Sequence, residues 1–118
     1  MSLFKWEDGR QETFYQKMLL LRNRFFIDVD MWLLKYPKGA YLPPHTDKCR
    51  CTKRHYRINI ILKKAKKGGE FISSDYIFNT SRIKFFRSDL CEHSLTTVEE
   101  GRRIVLSIGW TMKARKHH

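Results

Sequence analysis

The feature that most limits the fold is a succession of short strand-like segments between Phe25 and Trp110. FFIDVDMWLLKY, residues 25–36, is rich in aromatic and β-branched residues, contains no Gly or Pro, and reads as one or two strands. Pro37 and Gly39 then mark a turn, and Pro43 and Pro44 hold the chain extended as it enters His45. HYRINIIL, residues 55–62, is a further strand, and Lys63 to Lys67 with Gly68 and Gly69 form a charged turn. Glu70-Phe71-Ile72 opens the next strand, Arg82 to Phe86 gives another, and Arg102 to Trp110 gives the last long one. Many short strands separated by turns predict a sandwich or barrel, of which the double-sheet jelly roll is one solution. Ahead of them, residues 10–24 carry Phe14, Met18 and Leu21 at helical spacing, widened by Tyr15, Leu19 and Leu20. That spacing predicts one amphipathic N-terminal α-helix packed on the sheet.

At 118 residues the expectation is a single domain over 1–118, with the helix at about 10–24 and the barrel at about 25–112. Any site must then be built on the core fold. No apolar run approaches the ~18 residues of a membrane span. The opening MSLFKWEDGRQE has acids where a signal peptide needs an apolar stretch, so export is not expected. The three cysteines, Cys49, Cys51 and Cys91, are an odd count and fit reduced thiols in the cytoplasm better than a disulfide framework. The terminal His117 and His118 read as a tag remnant and stay outside the site reasoning. A formal net charge of +12 attracts anions of many kinds, from carboxylate co-substrates to nucleic acid.

LPPHTDKC carries His45 and Asp47 two residues apart. On a strand, residues i and i+2 project from one face, so an imidazole and a carboxylate can reach one ion together. His93, in DLCEHSL between two strands, is the candidate third ligand. Two imidazoles and a carboxylate leave neighbouring coordination positions open, which suits non-haem Fe(II) handling a co-substrate and O2. Ten residues after His93 comes Arg103, which shares one face of the last strand with Val105 and Ser107. A buried guanidinium requires an anion, and a carboxylate is its best match; the distal carboxylate of 2-oxoglutarate supplies one. Arg102 competes for the inward position.

YPKGAYLPPHTD, a following strand, Gly68-Gly69-Glu70, KFFRSDLCEH and GRRIVLSIGW together cover roughly residues 32–110. In this order they resemble the 2-oxoglutarate/Fe(II)-dependent oxygenase superfamily, and within it the prolyl-4-hydroxylase-like branch. The resemblance implies a double-stranded β-helix (jelly roll). It implies iron at His45, Asp47 and His93, with Arg103 on the C5 carboxylate of 2-oxoglutarate. Tyr36 stands where relatives carry a tyrosine before the His-x-Asp pair, lining either the co-substrate pocket or the core. Asn59 shares a strand face with Arg57 and Ile61 and is a further co-substrate candidate, although relatives often have a Tyr-Leu-Asn pattern on that strand. The implied activity is a dioxygenase that converts 2-oxoglutarate and O2 to succinate and CO2 while hydroxylating an amino-acid or peptidyl side chain.

Arg54 and Arg57, if they lie at the rim, would favour an acidic or phosphorylated substrate. The basic charge also allows an oxygenase acting on nucleic acid or on a protein bound to it. A separate reading is a zinc-binding basic module without catalysis, because His45, Asp47, Cys49 and Cys51 alternate along the chain. That reading leaves His93 and Arg103 unexplained.

Overall fold

The computed structural model describes residues 3–9, 13–23, 28–46 and 53–113, with the side chains of Lys53 and Lys113 excepted. Within these residues the chain is built from twelve strands: β1 (Trp6–Asp8), β2 (Gln16–Asn23), β3 (Asp28–Tyr36), β4 (Leu42–His45), β5 (Lys53–Lys63), β6 (Lys67–Gly68), β7 (Phe71–Ser73), β8 (Phe78–Asn79), β9 (Ile83–Arg87), β10 (His93–Leu95), β11 (Val98–Glu100) and β12 (Arg103–Lys113). No described helix is long and apolar enough to cross a membrane.

Seven strands form a large antiparallel sheet in the order β1-β2-β3-β12-β5-β9-β8. Three form a small antiparallel sheet, β4-β10-β7, and β11 pairs with β6. The two sheets face each other: Phe71 of β7 meets Phe86 of β9 at a ring distance of 5.1 Å. Tyr36, Ile61 and Val105 of the large sheet pack in one cluster with Leu95 and Val98. The fold is therefore mainly β, a sandwich of unequal sheets.

Along β12 the burial alternates: Arg103, Val105, Ser107 and Gly109 are buried, and Ile104, Leu106, Ile108 and Trp110 are half-exposed on the other face. The outer row is more apolar than the inner one. Trp110 stacks on Tyr56 of β5 at 5.7 Å and meets Phe85 of β9 at 5.6 Å on that outer face.

This apolar outer face explains a correction. The helix expected over residues 10–24 is instead strand β2 over Gln16–Asn23, paired to β1 and β3. Residues 10–12 and 24 lie outside the described residues. Leu19 is buried on the inner face, whereas Met18 and Leu21 pair with Leu33 and Met31, with a register shift between Leu19 and Leu21. A strand with apolar residues on both faces and a bulge loses the polar alternation that separates strand from helix.

Candidate metal centre

β4 is the edge strand of the small sheet, where Pro43 and Pro44 do not interrupt a ladder on both sides. It ends at His45. β10 lies in the middle of the same sheet and begins at His93, with Ser73 on one side and His45 directly opposite on the other. The two imidazole rings are 4.2 Å apart, centroid to centroid. Thus two residues far apart in sequence become nearest cross-strand neighbours.

Both rings are held in the same way. His45 Nδ1 donates to the carbonyl of Pro43 at 2.8 Å, and His93 Nδ1 donates to the carbonyl of Cys91 at 2.9 Å. A carbonyl can only accept, so each bond places the proton on Nδ1 and the lone pair on Nε2. That is the tautomer and orientation a metal-ligating imidazole needs. His93 is buried, with its ring against Phe86 at 5.0 Å and Phe71 at 6.0 Å.

The rings line a cavity of about 400 Å³ between the sheets. Its large-sheet wall includes Trp32, Tyr36, Arg57, Asn59 and Ser107. Asn59 and Ser107 are buried and bonded to each other: Ser107 Oγ donates to Asn59 Oδ1 at 2.6 Å. Arg57 of β5 gives one hydrogen bond to Ser107 Oγ at 2.7 Å and another to Asp30 Oδ1 at 2.9 Å.

Arg103 is 4% exposed, whereas Arg102 is exposed to solvent. Arg103 Nη1 donates to the carbonyl of Gly69 at 3.1 Å. That carbonyl is presented by a turn that needs glycine: Gly68 and Gly69 have φ of 71° and 62°, and a Cβ on Gly68 would lie 2.1 Å from the Thr97 carbonyl oxygen. Arg103 Nε is buried with no partner, the one such donor among the described residues. Burial lowers the guanidinium's proton affinity, and nearby Tyr36 acts in the opposite direction. Tyr36 is the cross-strand partner of Arg103 and stacks on Tyr15 at 5.0 Å. Burial raises its phenol well above the ordinary value. Tyr36 touches the cavity, but Arg103 does not line it.

The other expected site residues are placed as follows. Asp47, with Cys49 and Cys51, lies outside the described residues. Among the described residues no group of three or more His, Cys, Asp or Glu side chains forms a metal cluster. Arg54 is exposed and alternates to the opposite face of β5 from Arg57. Several residues that line the cavity or support it were not singled out from the sequence as site residues. Among them are Lys17, His55, Ser107 and Asp30, which depend on pairings of β2, β3, β5 and β12 that no local pattern specifies.

No family profile matches the chain, and no curated protein matches it. Solved structures do. A Pseudomonas putida prolyl-4-hydroxylase superposes with a TM-score of 0.67 at 16% identity, over 93% of this chain and 77% of its own. KdgF from Halomonas sp. gives 0.62 at 17%, over 98% and 96%. The viral collagen prolyl hydroxylase of Paramecium Bursaria Chlorella virus-1, solved as a 2OG complex, gives 0.60 at 15%, over 86% and 80%. At such identities the likeness is one of fold. The chain has a β-sandwich fold like that of these prolyl hydroxylases and KdgF.

Proposed function

We propose that this chain is an Fe(II)- and 2-oxoglutarate-dependent dioxygenase, a single double-stranded β-helix domain that hydroxylates an amino-acid or peptidyl side chain. The observation that carries this reading is the His45–His93 pair. Two imidazoles meet across one ladder, each with Nδ1 committed to a backbone carbonyl, beside a cavity large enough for a small dicarboxylate. The donor set fits the metal: two neutral imidazoles, with Asp47 following His45 by two residues as the third ligand. It fits the co-substrate as well, because the orphaned Arg103 Nε is a buried donor awaiting an anion.

Iron, when bound with 2-oxoglutarate, supplies O2 activation coupled to formation of succinate and CO2. The protein's own residues do the rest. His45 and His93 hold the ion with rings fixed by Pro43 and Cys91. Tyr36 would meet the distal carboxylate at the cavity wall, and Arg103, its cross-strand partner on β12, would supply the positive charge behind it. Phe71 and Phe86 exclude water from the His93 side. The fold likeness to two prolyl hydroxylases supports the peptidyl assignment.

The test is turnover. Purified protein with Fe(II), ascorbate and 2-oxoglutarate is offered a panel of amino acids and peptides. Succinate is measured together with a mass gain of one oxygen in the substrate. Succinate release that requires both Fe(II) and His93 supports the reading; its absence across the panel, with no iron binding, contradicts it.

A further inference from the structure

We propose that Arg57 binds a carboxylate on the substrate, in the cavity that His45 and His93 line. This rests on the oxygenase reading above and adds the substrate class to it.

Charge is the first argument. The cavity is lined by Lys17 and Arg57 and, among the described residues, by no Asp or Glu. Asp30 offsets Arg57 from behind, and Lys17, its ammonium 5.0 Å from the Trp32 ring centre, leaves the lining cationic.

Position is the second. Asp30, Gly109, Arg57 and Phe86 form one row across β3, β12, β5 and β9. Phe86 is the residue whose ring meets His93. Arg57 therefore sits one strand from the aromatic that supports a candidate iron ligand. Arg103 lies six residues away along β12 from the Gly109 row, about 20 Å at ~3.3 Å per residue. From that row the Arg57 side chain turns along the inner face to Ser107, so its charge reaches Tyr36 as well as the cavity that His45 and His93 line.

Construction is the third. The Arg57 guanidinium lies flat on Gly109, where a Cβ would fall 2.3 Å from Nη2 and 2.6 Å from Cζ. Nη2 is bonded to Asp30 and Nη1 to Ser107, whose own proton goes to Asn59. A glycine in a long central strand marks just such a close approach. Two of the five guanidinium N–H donors are used, and the other three have no acceptor among the described residues. A fixed, planar donor group loses little freedom when it captures a carboxylate.

The experiment reads Arg57 directly. The Nε–Hε resonance of Arg57 is assigned in 15N-labelled full-length protein with Arg57→Lys, and Zn(II) and 2-oxoglutarate occupy the metal and co-substrate sites. The probes are N-acetylaspartate amide and N-acetylglutamate amide, against their neutral asparagine and glutamine counterparts. The expected result is a saturable shift with at least one acid, at least about tenfold tighter than its amide, and lost in Gly109→Ala. No saturable shift, or equal shifts with acid and amide, overturns the proposal. So does a shift driven by 2-oxoglutarate alone to which neither acid adds, because Arg57 would then hold the co-substrate. The titration is repeated without metal and 2-oxoglutarate. An acid-specific shift in a protein that binds no metal supports the anion site and sinks the oxygenase reading instead. If Gly109→Ala does not fold, Ser107→Ala frees Nη1 and serves as the second variant, with weakened acid binding expected and unchanged acid binding counting against the proposal.

Discussion

His45 and His93 stand directly opposite each other at the ends of β4 and β10, and each donates its Nδ1 proton to the carbonyl two residues before it. One local device is thus built twice, on an edge strand and on a central one. The consequence is a pair of imidazole rings whose Nδ1 sides are both oriented by backbone carbonyls. Loss of outer partners of a metal-bound histidine typically costs ~10–100-fold in affinity, and loss of the ligand itself should cost at least about 100-fold. His45→Ala and His93→Ala are each expected to abolish Mn(II) binding at micromolar concentrations. Electron paramagnetic resonance of free Mn(II) measures this, and circular dichroism checks that the strands persist.

Arg103 is buried with one carbonyl acceptor and an unsatisfied Nε. Its charge opposes folding, since a buried ion without a counter-ion is costly. Arg103→Met keeps the length and removes the charge. It should leave stability unchanged or raise it by roughly 1–3 kcal/mol, while weakening 2-oxoglutarate binding at least about tenfold. Urea unfolding and isothermal titration measure the two effects. A fall of stability with unaltered 2-oxoglutarate affinity would make Arg103 a structural residue.

Much of the strand layout is legible in the sequence, because turn residues such as Pro37, Gly39, Gly68 and Gly69 punctuate it. The extended entry into His45 follows from Pro43 and Pro44, and the inward set Arg103, Val105 and Ser107 follows from simple alternation. β2 was not legible. The outer face of the large sheet is apolar, so LLL within QKMLLLRN satisfies two sheet faces rather than one helical stripe. The Arg57–Ser107–Asp30 network was not legible either, because it joins residues 27 and 50 positions apart through strand register. Its one local signal is Gly109, an unbranched gap in an otherwise continuous strand.

Phe86 has no exposed surface and contacts both Phe71 and His93. Phe86→Ala should cost about 3–5 kcal/mol, combining lost transfer free energy with the cavity left behind. Denaturant unfolding measures it. A milder loss would mean that the sheets close over the gap, and His93 would then shift.

Asp89 lies beside β9, and burial works against its ionisation. Hydrogen bonds from Arg87, with Nε at 2.8 Å, and from the His55 amide at 3.2 Å outweigh burial and hold the carboxyl below its ordinary value. A depressed carboxyl contributes stability above its unfolded value of about 3.9, and that contribution is lost as pH falls through the folded value. Wild type should therefore lose stability below about pH 4 more steeply than Asp89→Asn, the two curves converging in strong acid. Thermal melts across pH 2–7 test this.

The central claim is that the cavity at His45 and His93 binds iron with a chelating keto acid. Its most direct measurement is the visible absorption of anaerobic protein on adding Fe(II) and then 2-oxoglutarate. A weak metal-to-ligand charge-transfer band should appear only with both present, and should vanish in His45→Ala, His93→Ala and Asp47→Ala. A band that survives loss of either imidazole, or a wild-type protein that binds Fe(II) and 2-oxoglutarate without one, would contradict the account.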